Sequence, residues 1–160
     1  MRVSDIMTAG DVHTVLPDTP VWDALKMLSQ HRVSGLPVID PATQKVCGVV
    51  SDFDLLAIDS VSGARTSTYF PAPGEDWVVF KDVQRVVQKA QGQCVADVMT
   101  DEPLVVTPDC SVERAAQILL EKRLRRLPVV DSFDTMRLVG IVSRSNVVDA
   151  AIQSLGETVS

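Results

Sequence analysis

A chain of 160 residues with 46% apolar and 22% charged residues is long enough to bury a real core and too apolar to be disordered. Aromatics make up only 4%, so that core has to be built from Val, Leu, Ile and Ala. A formal net charge of −6 disfavours nucleic acid and anionic membranes as partners, and no run approaches the roughly 20 apolar residues of a membrane span.

In chain order, "VSDIMT" at 3–8 leads into an extended stretch, "DVHTVL", and then a helix. Thr19 is expected to cap that helix and Pro20 to take its first position, with Val21, Ala24, Leu25 and Leu28 forming one apolar stripe. "LPVID" reads as a strand entered through a proline, "PATQKV" as a hairpin turn, "VCGVV" as the returning strand, and "DFDLLAI" as a closing helix. An insert at 59–94 follows. Its first half is rich in Ser, Thr, Gly and Pro and reads as loop; its second half is expected to be an amphipathic helix with Phe80, Val83, Val86, Val87 and Ala90 on one face, ended by Gly92.

The same order then recurs. "VADVMT" at 95–100 repeats "VSDIMT"; "PDCSVERAAQILLEKRLRRLPVVD" at 108–131 repeats 17–40; "GIVSRSNVV" at 140–148 repeats "GVVSDFDLL" at 48–56. The second helical stripe is Val112, Ala115, Ala116 and Leu119. The unit is β-α-β-β-α, written twice, an α/β (α+β) fold whose halves are expected to pack as a pseudo-twofold pair. The division is 1–58 for the first motif, 59–94 for the insert and 95–160 for the second motif.

Each copy runs a strand into Ser-x-x-Asp or Ser-x-x-Asn: Ser51 with Asp54, and Ser143 with Asn146. A hydroxyl at a helix start with an acidic residue three positions on is close to a capping box. The same atoms suit a ligand, because a helix N-terminus favours phosphate and a carboxylate can accept both hydrogens of a ribose cis-diol. Cap and ligand contact are compatible. Cations gather in the second copy, at Arg123, Arg125, Arg126, Arg137 and Arg144; guanidinium forks match phosphate oxygens, and a solvated helix end paired with Glu121 and the helix dipole is the equal alternative.

The joint occurrence of "MT", "LPV" and "G-apolar-apolar-S-x-x-[D/N]" in both copies resembles CBS domains, and two in one chain resemble a CBS pair, or Bateman module. The segment "LLAIDSVSG", followed by "FP" and Trp-x-x-Phe before an amphipathic helix, is similar to the plant and algal single CBS-pair group called CBSX. The resemblance implies that an adenosine nucleotide, AMP foremost, or ADP, ATP or S-adenosylmethionine, sits in a cleft between the two motifs. It implies Ser51 as a phosphate or ribose contact and Asp54 as the ribose anchor, with Ser143 and Asn146 as their counterparts. The base slot would be formed by Gly35, Leu36 and Pro37, and by Arg126, Leu127 and Pro128; Arg144 is the foremost phosphate ligand. Asn146 carries no charge where the family has an acid, so unequal sites are expected, with the Asp54 site the stronger. The group's plastid members imply a chloroplast setting and modulation of thioredoxin.

Catalysis has little support. His13 and His31 have no nearby Ser or Cys in a nucleophile–base layout, no phosphate-binding glycine loop is present, and the three cysteines, Cys47, Cys94 and Cys110, show no metal-like spacing. Their odd number fits a reducing compartment. Cys47 is expected to be inert and buried; Cys110, near a helix N-terminus, sits where a thiolate is favoured, but with no close pair an internal thiol switch is not readable and unreactive cysteines are the favoured reading. No signal or transit peptide is visible before "VSDIMT". The alternative to a nucleotide sensor is an adaptor that acts on thioredoxin whether or not nucleotide is present. Leu55, Leu56, Ile58, Val147, Val148, Ala151 and Ile152 offer more apolar surface than one small domain hides, so a homodimer is expected.

Overall fold

The computed structural model describes residues 1–10, 12–52, 54, 84 and 92–159. The expected insert helix, apart from Gln84 and Gly92, and the expected apolar residues Leu55, Leu56 and Ile58 lie outside the described residues. Gln84 is helical and Gly92 has φ +89°.

The chain forms two compact units, each with the mixed α/β build expected from the repeat. One comprises residues 15–38 and 48–101. In it Val15 bridges Val38 in parallel, helix α2 (Val21–His31) follows, and strands β1 (Gly35–Ile39) and β2 (Val46–Ser51) belong to a sheet of order β1-β2-β3. The third strand, β3 (Thr100–Asp101), pairs antiparallel with β2, setting Val49 against Thr100 and Gly48 against Asp101. Helix α2 forms because Val21, Ala24 and Leu28 recur on one face, and all three are buried. Its cap differs from expectation. Pro20 is the N-cap and contributes no side-chain bond, while the Thr19 hydroxyl accepts from the N–H of Leu16 at 3.0 Å. Thr19 therefore closes the preceding turn, because a proline at the boundary moves the helix start one residue on.

The other unit comprises 1–14, 39–47 and 102–160. Val106 bridges Val129 in parallel, helix α4 (Val112–Glu121) follows, strands β4 (Arg126–Val130) and β5 (Leu138–Ser143) pair antiparallel, and helix α5 (Arg144–Val159) closes it. The register sets Arg126 against Ser143 and Leu127 against Val142. Here Ser111 does cap α4, its hydroxyl accepting from the N–H of Arg114 at 3.1 Å. Val3, Val106, Ala115, Leu119, Leu127, Val129 and Val142 make the core of this unit. Each fully buried Val or Leu contributes about 1.5–3 kcal/mol.

The two short helices α1 (Val3–Ile6) and α3 (Val95–Val98) explain why "MT" recurs. Helix α1, from the first copy, docks on second-copy elements: the N–H of Val3 donates to the Cys110 carbonyl at 2.8 Å and that of Ser4 to the Pro108 carbonyl at 3.0 Å. Helix α3, from the second copy, docks in the same way on first-copy elements, with Val95 donating to Thr19 and Ala96 to Pro17, both at 2.8 Å. After each helix the Met-Thr joins a sheet edge. Thr8 and Ile141 exchange two backbone bonds at 2.8 and 2.9 Å, and Thr100 pairs with Val49. Each unit thus borrows its edge strand from the other sequence copy.

Candidate functional site

Strand β2 ends at Ser51, and Asp52 and Asp54 are helical. The N–H and hydroxyl of Ser51 both donate to Asp54 Oδ2 at 3.0 Å, and the N–H of Asp54 donates to Ser51 Oγ at 3.2 Å. This is a reciprocal capping box on half-buried residues. Among the described residues, every hydrogen bond to the Asp54 carboxylate falls on Oδ2, so Oδ1 is left as an acceptor. Gly35 is buried beside this turn. A Cβ on it would stand 3.3 Å from the Val50 carbonyl and 3.8 Å from Ser51 Cβ, so the absence of a side chain keeps the space across from Ser51 clear. The carbonyl before it, on Ser34, accepts from the N–H of Asp52 at 2.9 Å. Leu36 and its counterpart Leu127 are each 1% exposed, so what they can offer a ligand is backbone and shape. Pro37 and Pro128 are buried too, their carbonyls bonded to the N–H groups of Val15 and Val106, both at 3.1 Å.

The second copy repeats this geometry with different chemistry. The N–H and hydroxyl of Ser143 donate to Asn146 Oδ1 at 2.9 and 3.0 Å, and the N–H of Asn146 donates to Ser143 Oγ at 3.3 Å. With Oδ1 held by the cap, the remaining polar atom of Asn146 is its NH2, a donor where Asp54 keeps an acceptor. Arg126 stands directly across the ladder from Ser143, on the same face of the sheet, and its Nε is buried. Arg144 opens α5. Its backbone N–H donates to the Arg125 carbonyl at 3.0 Å, and its guanidinium reaches back to the end of α4, donating to the carbonyls of Leu124 at 2.7 Å and Leu119 at 3.4 Å. The charge is thereby pinned beside the Ser143–Asn146 turn. Spacing alone pointed to Arg144; the carbonyls of Leu124 and Arg125 that fix it were not identified from the sequence, since the signal for them is only that a helix end leaves carbonyls to be satisfied.

The thiols correct one expectation and weigh two others. Cys110 lies just before α4, yet burial pushes its thiol pKa up, opposed only in part by the Arg114 charge. The expected thiolate-favouring position is outweighed by loss of water. Cys47 in β2 is half-buried rather than buried, and its pKa is raised by burial and by Asp40. Cys94 caps α3 and its thiol donates to Asp97 Oδ2 at 3.3 Å. His13 is half-buried and His31 exposed. Among the described residues no group of three or more His, Cys, Asp or Glu could hold a metal ion, and no helix is long and apolar enough to cross a membrane.

Two repeated units, each with a strand that runs into a Ser-x-x-Asp or Ser-x-x-Asn cap, match a CBS pair. The CBS domain family profile matches residues 3–60 and 95–153, and the chain belongs to this family. It is 49% identical over 154 residues to the CBS domain-containing protein CBSX1, chloroplastic, of Arabidopsis thaliana, covering 94% of this chain and 64% of that protein. It is 46% identical to CBSX2, chloroplastic, of the same plant, covering 98% of this chain and 66% of that protein. The chain thus spans just under two thirds of the length of these curated relatives. Its fold matches the crystal structure of CBSX2 with a TM-score of 0.76 at 43% identity, over 95% of this chain and 94% of that one. CBSX2 in complex with AMP matches with a TM-score of 0.70 at 42% identity, over 95% and 96% of the two chains.

Proposed function

We propose that the protein is a non-catalytic regulatory module that binds an adenosine nucleotide, AMP foremost, with Asp54 as the ribose anchor, Ser51 beside it and Gly35, Leu36 and Pro37 lining the base slot. The observation that carries this is the division of labour on one carboxylate. Oδ2 of Asp54 holds the Ser51 cap while Oδ1 accepts nothing among the described residues, so the cap preorganises the group a diol needs. The relative CBSX2, 42% identical in its AMP complex, supports the choice of nucleotide. Ser143, Asn146, Arg144, Arg126, Leu127 and Pro128 form the counterpart in the second motif. The motifs are taken as 1–58 and 95–160 with the insert 59–94 between them.

The chloroplastic relatives support a plastid setting; the resemblance to the CBSX group supports thioredoxin as the regulated partner, and the exposed apolar residues of α5 support a homodimer built on the last helices. Thermal melts test the nucleotide part. A ligand that binds only the folded state at 100 times its Kd adds about 2.7 kcal/mol. AMP raises the melting point of the wild type, and Asp54→Ala removes most of that gain. Thioredoxin affinity that is the same with and without AMP would favour the adaptor instead.

A further inference from the structure

We propose that the half-site at Ser143 is selective for a polyphosphate chain rather than a sugar, so that the protein carries an anion site of a different ligand class from the Asp54 site. This rests on the nucleotide reading above for the sugar at Asp54; the anion site itself is measured separately.

Four positions carry the contrast. Ser34, Gly35, Asp52 and Asp54 of the first copy correspond to Arg125, Arg126, Arg144 and Asn146 of the second. The backbone makes the correspondence physical, because Asp52 N–H donates to the Ser34 carbonyl at 2.9 Å just as Arg144 N–H donates to the Arg125 carbonyl at 3.0 Å. The first set holds two carboxylates and no cation; the second holds three guanidiniums and no carboxylate. The acceptor left on Asp54 is matched by a donor left on Asn146. A carboxylate turn repels phosphate and suits a diol. A turn with guanidiniums and an amide NH2 has the reverse preference.

The fold does not require these arginines. The same bond follows each helix, Val33 N–H to the Leu28 carbonyl at 3.1 Å and Leu124 N–H to the Leu119 carbonyl at 2.9 Å, although Ser34, Gly35 and Asp52 stand where the second copy has Arg125, Arg126 and Arg144. Two residues before each of these pairs the backbone is equivalent as well, since Arg32 and Arg123 both take a left-handed conformation, φ +51° and +55°. The cluster also runs against the net charge of −6. Among the described residues the Arg144 guanidinium donates to the carbonyls of Leu124 and Leu119 and to no carboxylate, so its charge stays available to an anion at the turn.

The test is calorimetry with two probes, inorganic tripolyphosphate and adenosine, on the full chain. Tripolyphosphate is expected to bind the wild type and Asp54→Ala equally, to bind Arg125→Ala/Arg126→Ala at least tenfold more weakly, and to weaken as salt is raised. Asn146→Asp should also weaken it, and Arg126→Lys should retain most of it, which separates charge from misfolding. Adenosine heat should vanish in Asp54→Ala and persist in Arg125→Ala; its survival in Asp54→Ala would overturn the sugar reading at Asp54 and leave the anion site standing. No tripolyphosphate binding, or binding unaffected by the arginine variants, or binding lost with Asp54, would overturn the anion site and leave the nucleotide reading intact.

Discussion

The sulfur of Met99 lies 2.7 Å from the point where a Cβ on Gly48 would stand, and Met7 makes the same approach to Gly140 at 2.8 Å. The glycine of each "GVV" or "GIV" strand is therefore a seat for the methionine of the exchanged Met-Thr segment, and the two motifs depend on each other. A Cβ would also meet the backbone carbonyl of Thr100 at 2.9 Å or of Thr8 at 2.8 Å, which a side-chain rotation cannot relieve. Gly48→Ala and Gly140→Ala should each lower unfolding stability by about 1–3 kcal/mol. Denaturant titration checks this, and a loss under about 0.5 kcal/mol, the range of ordinary surface changes, would mean the seat is looser than described.

Asp131 starts the second hairpin turn as an acceptor hub. Its Oδ1 takes the hydroxyl of Thr135, the N–H of Ser132 at 2.8 Å and the N–H of Arg137 at 3.0 Å. The Thr135 bond first, then those backbone bonds and the Arg137 charge, hold its carboxyl below the usual range against a desolvation that pushes up. A folded-state pKa below the unfolded one means stabilisation that is complete above the ordinary aspartate value and fades as pH falls through the folded one. The stability advantage of wild type over Asp131→Asn should be constant at neutral pH and shrink below about pH 4. Urea midpoints from pH 6 to pH 2 measure it, and a gap that widens on acidification would contradict the assignment.

Cys47 and Cys110 both have thiol pKa values raised by burial. Since the thiolate is the nucleophile, alkylation of both by iodoacetamide at pH 7 should be slower in the native protein than in the urea-unfolded chain, and should speed up as pH rises. Peptide mass mapping over a time course reads each site. Native Cys110 reacting faster than the unfolded chain would restore the thiolate expected from its place beside a helix start.

Helix α5 leaves Val148, Ile152 and Leu155 exposed at 55%, 63% and 67%, on neighbouring turns. In the proposed homodimer this stripe is covered by the partner. Light scattering should give twice the 17.4 kDa chain mass, and Ile152→Asp with Leu155→Asp should return the chain mass without loss of helical circular dichroism. A wild type at the chain mass would reject the dimer.

Much of this architecture is readable in the residues because local periodicity and local caps determine it. Val21, Ala24 and Leu28 mark α2 by spacing, and Ser51 with Asp54 marks the cap that follows β2 by a three-residue interval. Contacts across the two copies leave no local period. The docking of Val3 at Cys110 and of Val95 at Thr19 could be suspected only from the recurrence of Met-Thr together with a strand glycine. For the Cys110 thiol, helix position is visible in a sequence and burial, which raises its pKa, is not. Thr19 closes the turn before α2 instead of capping it, because Thr-Pro fits either of two helix starts. The donor left on Asn146 needed the cap geometry, which fixes which side of the amide faces Ser143.

The most direct test of a sugar held at Asp54 is calorimetric titration of AMP into wild type, Asp54→Ala and Asp54→Asn. Saturable heat is expected for the wild type, none for Asp54→Ala, and binding weakened about tenfold or more for Asp54→Asn, in keeping with about 1.5–3 kcal/mol for a hydrogen bond to a charged acceptor. Equal heats and affinities in all three proteins would contradict it.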